Sequence, residues 1–135
     1  MGISSDGQLT YGIYFEDDFE FPWDDYDSIE EWWCDENGLS EKSYKEREAF
    51  LDKNLPPIEM SMHCAYEYPM YIMTTPFVEE YGNSRGDATE INAKDMLDVE
   101  GIKGEKARNT IRDFCKKYKI ENDFYFSWWL TSLYG

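Results

Sequence analysis

The sequence predicts a small α+β fold: a mostly antiparallel sheet with two to three helices packed on one face. Three observations carry this. Short stretches alternate apolar and polar residues with the period of two that a half-buried strand requires. One stretch, 104–119, carries an apolar stripe at helical spacing. The elements follow the order β-α-α-β-β-(β)-α-β, which lacks the strict strand–helix alternation of a parallel sheet. At 135 residues the chain suffices for one hydrophobic core, so 1–135 reads as a single acidic domain.

The elements are justified in turn. Ser4-Ser5-Asp6-Gly7 is a turn signal. Residues 8–15 alternate, with Leu9, Tyr11, Ile13 and Phe15 on one face, and read as a strand. Residues 16–27 form an acidic loop broken by Pro22. Ser28-Ile29-Glu30-Glu31 is a capping box, with Ser at the N-cap and Glu three residues later. The short helix it opens places Ile29, Trp32 and Trp33 on one face, and Asn37-Gly38 ends it. Residues 40–54 read as a second helix with Tyr44, Leu51 and Phe50 turned inward, stopped by Pro56-Pro57. Ile58, Met60, Met62 and Cys64 alternate with Glu59, Ser61 and His63 in a second strand. Pro69 breaks the chain, 70–75 reads as a third strand, 82–87 as a loop and 88–91 as a short strand. In 104–119, Ala107, Ile111, Phe114, Cys115 and Tyr118 form the stripe, and Lys116, Lys117 and Lys119 suit the negative end of the helix dipole. Residues 124–133 read as a final strand, aromatic on both faces.

Charge is distributed unevenly. The net charge is −16, yet the first 41 residues hold thirteen carboxylates and no lysine or arginine. They are Asp6, Glu16, Asp17, Asp18, Glu20, Asp24, Asp25, Asp27, Glu30, Glu31, Asp35, Glu36 and Glu41. Phe15, Phe19, Phe21, Trp23, Tyr26, Trp32 and Trp33 are interleaved with them. Disordered acidic tails lack aromatics, so this stretch reads as a folded, strongly negative surface. A pI near 4.2 argues against binding nucleic acid, whose phosphates are neutralised by Lys and Arg. Such a protein is repelled by DNA and anionic membranes and attracted to basic clefts. No basic, apolar leader and no long apolar run is present, which predicts a soluble, cytoplasmic protein. Three widely spaced cysteines, Cys34, Cys64 and Cys115, suggest reduced core thiols rather than a disulfide framework.

Catalytic and metal chemistry finds little support in the sequence. Asp24-Asp25-Tyr26-Asp27 lacks the alternating ligands, turn glycine and closing Glu of a calcium loop. His63 and Cys64 are adjacent in a strand, so their side chains diverge and cannot form a dyad. One histidine and scattered cysteines fall short of a zinc pattern. The expectation is a protein that is not an enzyme and uses no cofactor or metal.

Val99-Glu100-Gly101-Ile102-Lys103-Gly104-Glu105-Lys106-Ala107, with Asn109, Ile111, Arg112 and Phe114, resembles the helix-hairpin-helix segment of flap-endonuclease-type proteins. That resemblance implies backbone N–H groups offered to a DNA phosphate. Here Lys103 replaces the second motif glycine and Gly104 sits one place late. The nuclease acids that would flank the motif are missing, and a glycine-punctuated helix entry explains the same letters. The whole chain also resembles a group of small, uncharacterised bacteriophage proteins. The likeness lies in Met1-Gly2-Ile3-Ser4-Ser5-Asp6-Gly7, Leu9, Tyr11-Gly12 and the acidic, Trp-containing stretch. It continues in Tyr68-Pro69-Met70-Tyr71-Ile72, Trp128-Trp129-Leu130 and Tyr134-Gly135. It implies a phage protein in a bacterial host cytoplasm, a context in which acidic DNA mimics block nucleases, restriction enzymes and CRISPR complexes.

These readings converge on an expected nucleic-acid mimic. Asp17, Asp18, Asp24, Asp25, Asp27, Glu30, Glu31, Asp35 and Glu36 would supply the charge. Carboxylates three or four apart on a helix lie about 5–6 Å from one another, close enough to approximate a short row of phosphates. Phe21, Trp23, Tyr26 and Trp32 serve either as partner-facing anchors or as the core beneath the acids. The expected partner is a basic nucleic-acid-binding protein of the host, such as a defence nuclease or its complex. The expected test is charge reversal at Asp24, Asp25 and Asp27, with the fold intact. The alternative is a phage structural or adaptor protein that forms a homo-oligomer through its aromatic C-terminal strand, Phe124, Tyr125, Phe126, Trp128 and Trp129.

Overall fold

The structure is a computed structural model that describes residues 5–63, 70–76, 78, 80–83, 88, 90–97, 99 and 101–134. It divides into two compact units: Met1–Phe19 with Ile58–Gly135, and Glu20–Pro57.

The first unit is built on one long strand. β1 (Ser5–Phe15) pairs along most of its length with β5 (Ser127–Tyr134), from Ser5↔Tyr134 to Gly12↔Ser127. It also pairs with β4 (Tyr81–Asn83) at Gly7 to Leu9, and with β3 (Met70–Thr74) at Ile13 to Phe15. β2 (Glu59–His63) completes the sheet against β3. Every pairing is antiparallel, and with the helices this makes the fold α+β.

Register sorts the sheet into two faces. Tyr11 and Ile13 share one face with Trp128, Met73 and Met60. α3 (Ala93–Leu97) and α4 (Ile102–Lys117) cover it. Trp128 Nε1 donates to Met96 O at 3.3 Å, and Cys115 Sγ lies 3.7 Å from Met73 Sδ. Ala107, Ile111, Phe114 and Cys115 are buried as the helical stripe requires, while Tyr118 is half-buried. Ile13, Ile72, Met73 and Ile111 are essentially closed to solvent. Each contributes about 1.5–3 kcal/mol relative to exposure. The other face is mixed: Tyr14, Ile72 and Trp129 share it with Gln8, Thr10, Ser61 and Thr131, and Ile72, Thr10 and Thr131 are buried. Gln8 Nε2 donates to Glu80 Oε2 at 2.7 Å and reaches Thr10 Oγ1 and Ser61 Oγ at 3.2 and 3.4 Å. The sheet curls, so β2 meets β5: the Ser132 N–H donates to His63 Nδ1 at 3.0 Å. The lone histidine is thereby a structural acceptor.

α4 begins at Gly101 and Ile102, and its Gly104 has a packing role. A Cβ there would lie 1.7 Å from Val99 O, so only glycine lets the Val99 backbone rest on the helix. The same carbonyl accepts from Arg108 Nη1 at 2.6 Å. The glycine that gave this segment its hairpin resemblance is therefore occupied within the fold.

The second unit holds two short helices. α1 (Ile29–Glu36) opens at Ser28, whose Oγ accepts from Glu31 N–H at 3.1 Å. It closes through Asn37 and Gly38, with φ +78° at Gly38. Gly38 N–H donates to Asp35 O and Leu39 N–H to Cys34 O, the paired bonds of a Schellman stop. α2 (Tyr44–Leu51) has its own capping serine, Ser43, which accepts from Glu46 N–H at 3.3 Å.

Several expectations are corrected. Ser5 to Gly7 lie in β1 rather than a turn, because β5 and, at Gly7, β4 pair with them, and pairing overrides small-residue turn propensity. α2 starts at Tyr44 rather than Ser40, since Ser43 takes the cap. Tyr44 is 72% exposed and does not face inward. Met62 is exposed, so the second strand is not apolar along its whole face. Ala88, Glu90 and Ile91 are not in a strand; the short strand is Tyr81–Asn83, where Tyr81 registers with Leu9. The last strand starts at Ser127, after Asn122 and Asp123 hold turns by accepting from Phe124 and Tyr125 N–H. The helix at Ala93–Leu97 had no counterpart in the sequence reading. Cys64, Pro69 and the 84–87 loop lie outside the described residues.

Candidate partner-binding face

The acidic stretch of the second unit is ordered by its own side chains. Pro22 occupies the second position of a turn closed by Asp24 N–H on Phe21 O at 3.2 Å. Asp24 Oδ2 accepts from Phe21 N–H at 2.8 Å, and a second turn follows from Tyr26 N–H to Trp23 O at 3.0 Å. Under this loop, Phe21 and Trp32 are buried. Trp23 stacks on Phe21 with centroids 4.9 Å apart and meets the Trp32 ring at 5.3 Å. Trp33 Nε1 donates to Asn54 O at 2.8 Å, tying α1 to the segment after α2.

The carboxylates divide by what they do. Asp24 is committed to the turn, so reversing it would disturb the loop. That corrects the expectation that Asp24 can be changed with the fold intact. Glu31 Oε2 accepts from Asp27 N–H at 3.3 Å, and Asp35 accepts from the Tyr26 hydroxyl. The Tyr26 hydroxyl ionises above the ordinary tyrosine value. The first cause is its proton's bond to Asp35; burial and the charges of Asp35, Glu36 and Asp25 add to it. Asp27, Glu31 and Asp35 thus stand four residues apart, with Glu31 and Asp35 held by internal hydrogen bonds. Asp25, Asp27, Glu30 and Glu36 are exposed. Asp17 and Asp18 belong to the sheet unit, where they are exposed in the turn after β1 that Phe19 N–H closes on Glu16 O at 3.2 Å.

Of the expected anchors, Phe21 and Trp32 are core and closed to a partner, whereas Trp23 and Tyr26 are half-buried and present part of their surface. α1 and α2 also frame a groove of about 390 Å³. Asp27, Ser28, Glu30, Glu31 and Cys34 line it from one side, and Tyr44, Arg47, Glu48 and Leu51 from the other. The sequence places Tyr44 inward and gives Arg47 and Glu48 no role, although 30/31/34 and 44/47/48/51 are matching helical stripes. Cys34, 2% exposed, has its thiol pushed up chiefly by burial and further by Glu30 and Glu31, against the opposing Arg47 charge.

Most of the positive charge lies outside the second unit, which holds only Lys42, Lys45, Arg47 and Lys53. Seven of thirteen bases fall within 103–119: Lys103, Lys106, Arg108, Arg112, Lys116, Lys117 and Lys119. The negative charge is therefore concentrated in the 20–41 stretch rather than spread over the chain as a whole. Among the described residues, no three His, Cys, Asp or Glu side chains are placed to hold a metal ion, and no helix is long and apolar enough to cross a membrane. Comparison with protein-family models, curated proteins and solved structures finds no match.

Proposed function

We propose that this protein is a non-enzymatic inhibitor that occupies the basic groove of a nucleic-acid-binding protein, presenting carboxylates in place of phosphates. The observation that carries the proposal is the run of thirteen acids without one base over residues 1–41. Nine of these charges, from Glu20 to Glu41, stand on the folded second unit. Carboxylates held close together repel one another, and the Glu31 N–H bond to Ser28 Oγ, the Tyr26 hydroxyl bond to Asp35 and the Phe21 N–H bond to Asp24 help keep this acidic segment folded. The resemblance to phage proteins makes a bacterial host the natural setting and a defence nuclease or its complex the natural target. Electrostatic steering makes association fast and salt-sensitive. The test is capture from a bacterial lysate at low salt, elution by a salt step, and identification by mass spectrometry. A nucleic-acid-binding protein in the eluate supports the proposal; an eluate without one contradicts it.

A second reading rests on β5. Leu130 is 76% exposed and Tyr125 is 61% exposed, and Leu9, Tyr81, Ile91 and Leu130 border a shared surface hollow. An adaptor that forms a homo-oligomer through this strand would use that surface. Light scattering decides: a monomer at high protein concentration removes this reading.

A further inference from the structure

We infer that β5 pairs edge to edge with β5 of a second copy, antiparallel about a two-fold axis at Trp129, so that Trp128 of each copy stands opposite Leu130 of the other. This rests on the homo-oligomer reading of β5 and adds the contact and its register.

The backbone supplies the first half of the case. Among the described residues β5 pairs with β1 alone, from Ser127 to Tyr134. Ser132 N–H marks the direction of the other edge: it points away from β1 and donates to His63 Nδ1 at 3.0 Å. Along an antiparallel strand the outward-facing groups recur every second residue, so those of Leu130 and Trp128 face the same way. Leu130 N–H and C=O have no partner among the described residues on that side, and Trp128 O receives the Ser127 hydroxyl at 3.5 Å. Leu130 is 76% exposed, so the edge is open there. An open edge is a template for another strand, and proteins defend such edges with lysine, proline or bulges. β5 carries no charged residue and no proline.

Charge and register select a second copy as the occupant. Phe124 to Gly135 is the longest stretch of the chain without a charged side chain. Two chains of net charge −16 repel, and they approach at least cost where neither carries charge. The edge is also self-complementary. With Ser132 engaged by His63, Trp128 and Leu130 are the neighbouring outward-facing residues left. Set antiparallel on a copy, Trp128 against Leu130 and Leu130 against Trp128 make four N–H···O=C bonds, with Trp129 against Trp129 in the non-hydrogen-bonded position between them. Each exposed Leu130 then lies beside the Trp128 ring of the other copy, on the face that carries Leu9 and Tyr11. Sliding the register by two residues draws Ser132 into the pairing and forfeits its bond to His63.

The test uses the full chain in sedimentation equilibrium and light scattering. The parent is expected to dimerise, and its dissociation constant should fall by roughly threefold or more from about 0.05 to about 0.5 M salt, because salt screens the repulsion between copies. That sign is opposite to the one expected for capture of a basic partner. Leu130→Pro removes an N–H that bonds nothing in the monomer, a position where an edge strand tolerates proline. Leu130→Lys gives the edge a charge at an exposed site. Circular dichroism checks that both fold, and each should weaken the dimer by roughly tenfold or more. Leu97→Gln, at an exposed apolar residue outside β5, should leave it unchanged. Register is read by cross-linking, with the parent as the control for its own cysteines. Leu130→Cys places two thiols about 7–8 Å apart across the dimer, within reach of a short bis-maleimide. Tyr125→Cys places them more than about 20 Å apart, out of its reach. A monomer at every salt concentration overturns the inference together with the oligomer reading. A dimer that both Leu130 variants leave intact, or that cross-links through Tyr125→Cys and not Leu130→Cys, overturns the pairing and leaves oligomer formation standing. A dimer that dissociates as salt rises overturns the pairing too, because charge attraction rather than a neutral strand then joins the copies.

Discussion

Replacing Gly104 by alanine tests how α4 is seated and what its hairpin-like entry is for. On helix propensity alone the change should stabilise, by about 1 kcal/mol at an interior position. Packing reverses the sign. The new Cβ would sit 1.7 Å from Val99 O, so the two backbones must part by more than about 1 Å to reach ordinary contact. Overpacking of this kind costs about 1–3 kcal/mol. The displaced carbonyl also leaves Arg108, which now donates to it at 2.6 Å and to Tyr11 Oη at 3.1 Å. A hydrogen bond to a charged group contributes about 1.5–3 kcal/mol. Allowing for overlap between these costs, Gly104→Ala should destabilise by about 2–4 kcal/mol. Urea unfolding followed by circular dichroism measures it. A variant as stable as the parent, with the same denaturant dependence, would refute the seating of Val99 on α4. It would also leave Gly104 free for the external contact that the helix-hairpin-helix resemblance implies.

Three further predictions follow from single side chains. Ser28→Ala removes the cap on Glu31 N–H and should cost about 1 kcal/mol, while Ser28→Asp should restore most of it; amide exchange in α1 reports both. Glu80 has its carboxyl pushed above the usual range, first by burial and then by the Glu59 charge. The neutral form is the one the fold favours, so its contribution is full below the ordinary carboxyl value and lost as pH rises through the raised one. Glu80→Gln should therefore be more stable than the parent at neutral pH, and the difference should vanish in acid; urea midpoints across pH decide it. Tyr26 is likewise raised, chiefly by its bond to Asp35, so its contribution is present at neutral pH and lost as pH climbs through the tyrosine range. Tyr26→Phe should give a flatter stability profile in alkali, and an unchanged profile would count against that bond.

The parts of the fold written into local chemistry were legible in the sequence. Ser28 and Glu31 mark the start of α1 and Asn37-Gly38 its end, because caps are read from a few adjacent residues. The stripe from Ala107 to Cys115 locates α4 for the same reason. What escaped was set by distant pairing. Ser5 to Gly7 carry turn letters but are claimed by strand partners more than seventy residues away. Tyr81–Asn83 is a strand only because Gly7 to Leu9 lie beside it. The acidic face was legible as charge but not as geometry. Nothing local shows that Asp24 closes a turn on Phe21, that Asp35 holds the Tyr26 hydroxyl, or that Tyr44 turns outward. Those facts separate the carboxylates that hold the loop from Asp25, Asp27, Glu30 and Glu36, which remain available to a partner.

The most direct measurement is competition for the captured partner between this protein and a labelled DNA duplex. The parent chain should displace the duplex, less effectively as salt rises, and the two should never bind together. A variant with Asp25→Lys, Asp27→Lys and Glu30→Lys, which spares Asp24 and the turn it holds, should fold normally and fail to displace it. A ternary complex of partner, duplex and protein, or full displacement by the folded triple variant, would contradict the account.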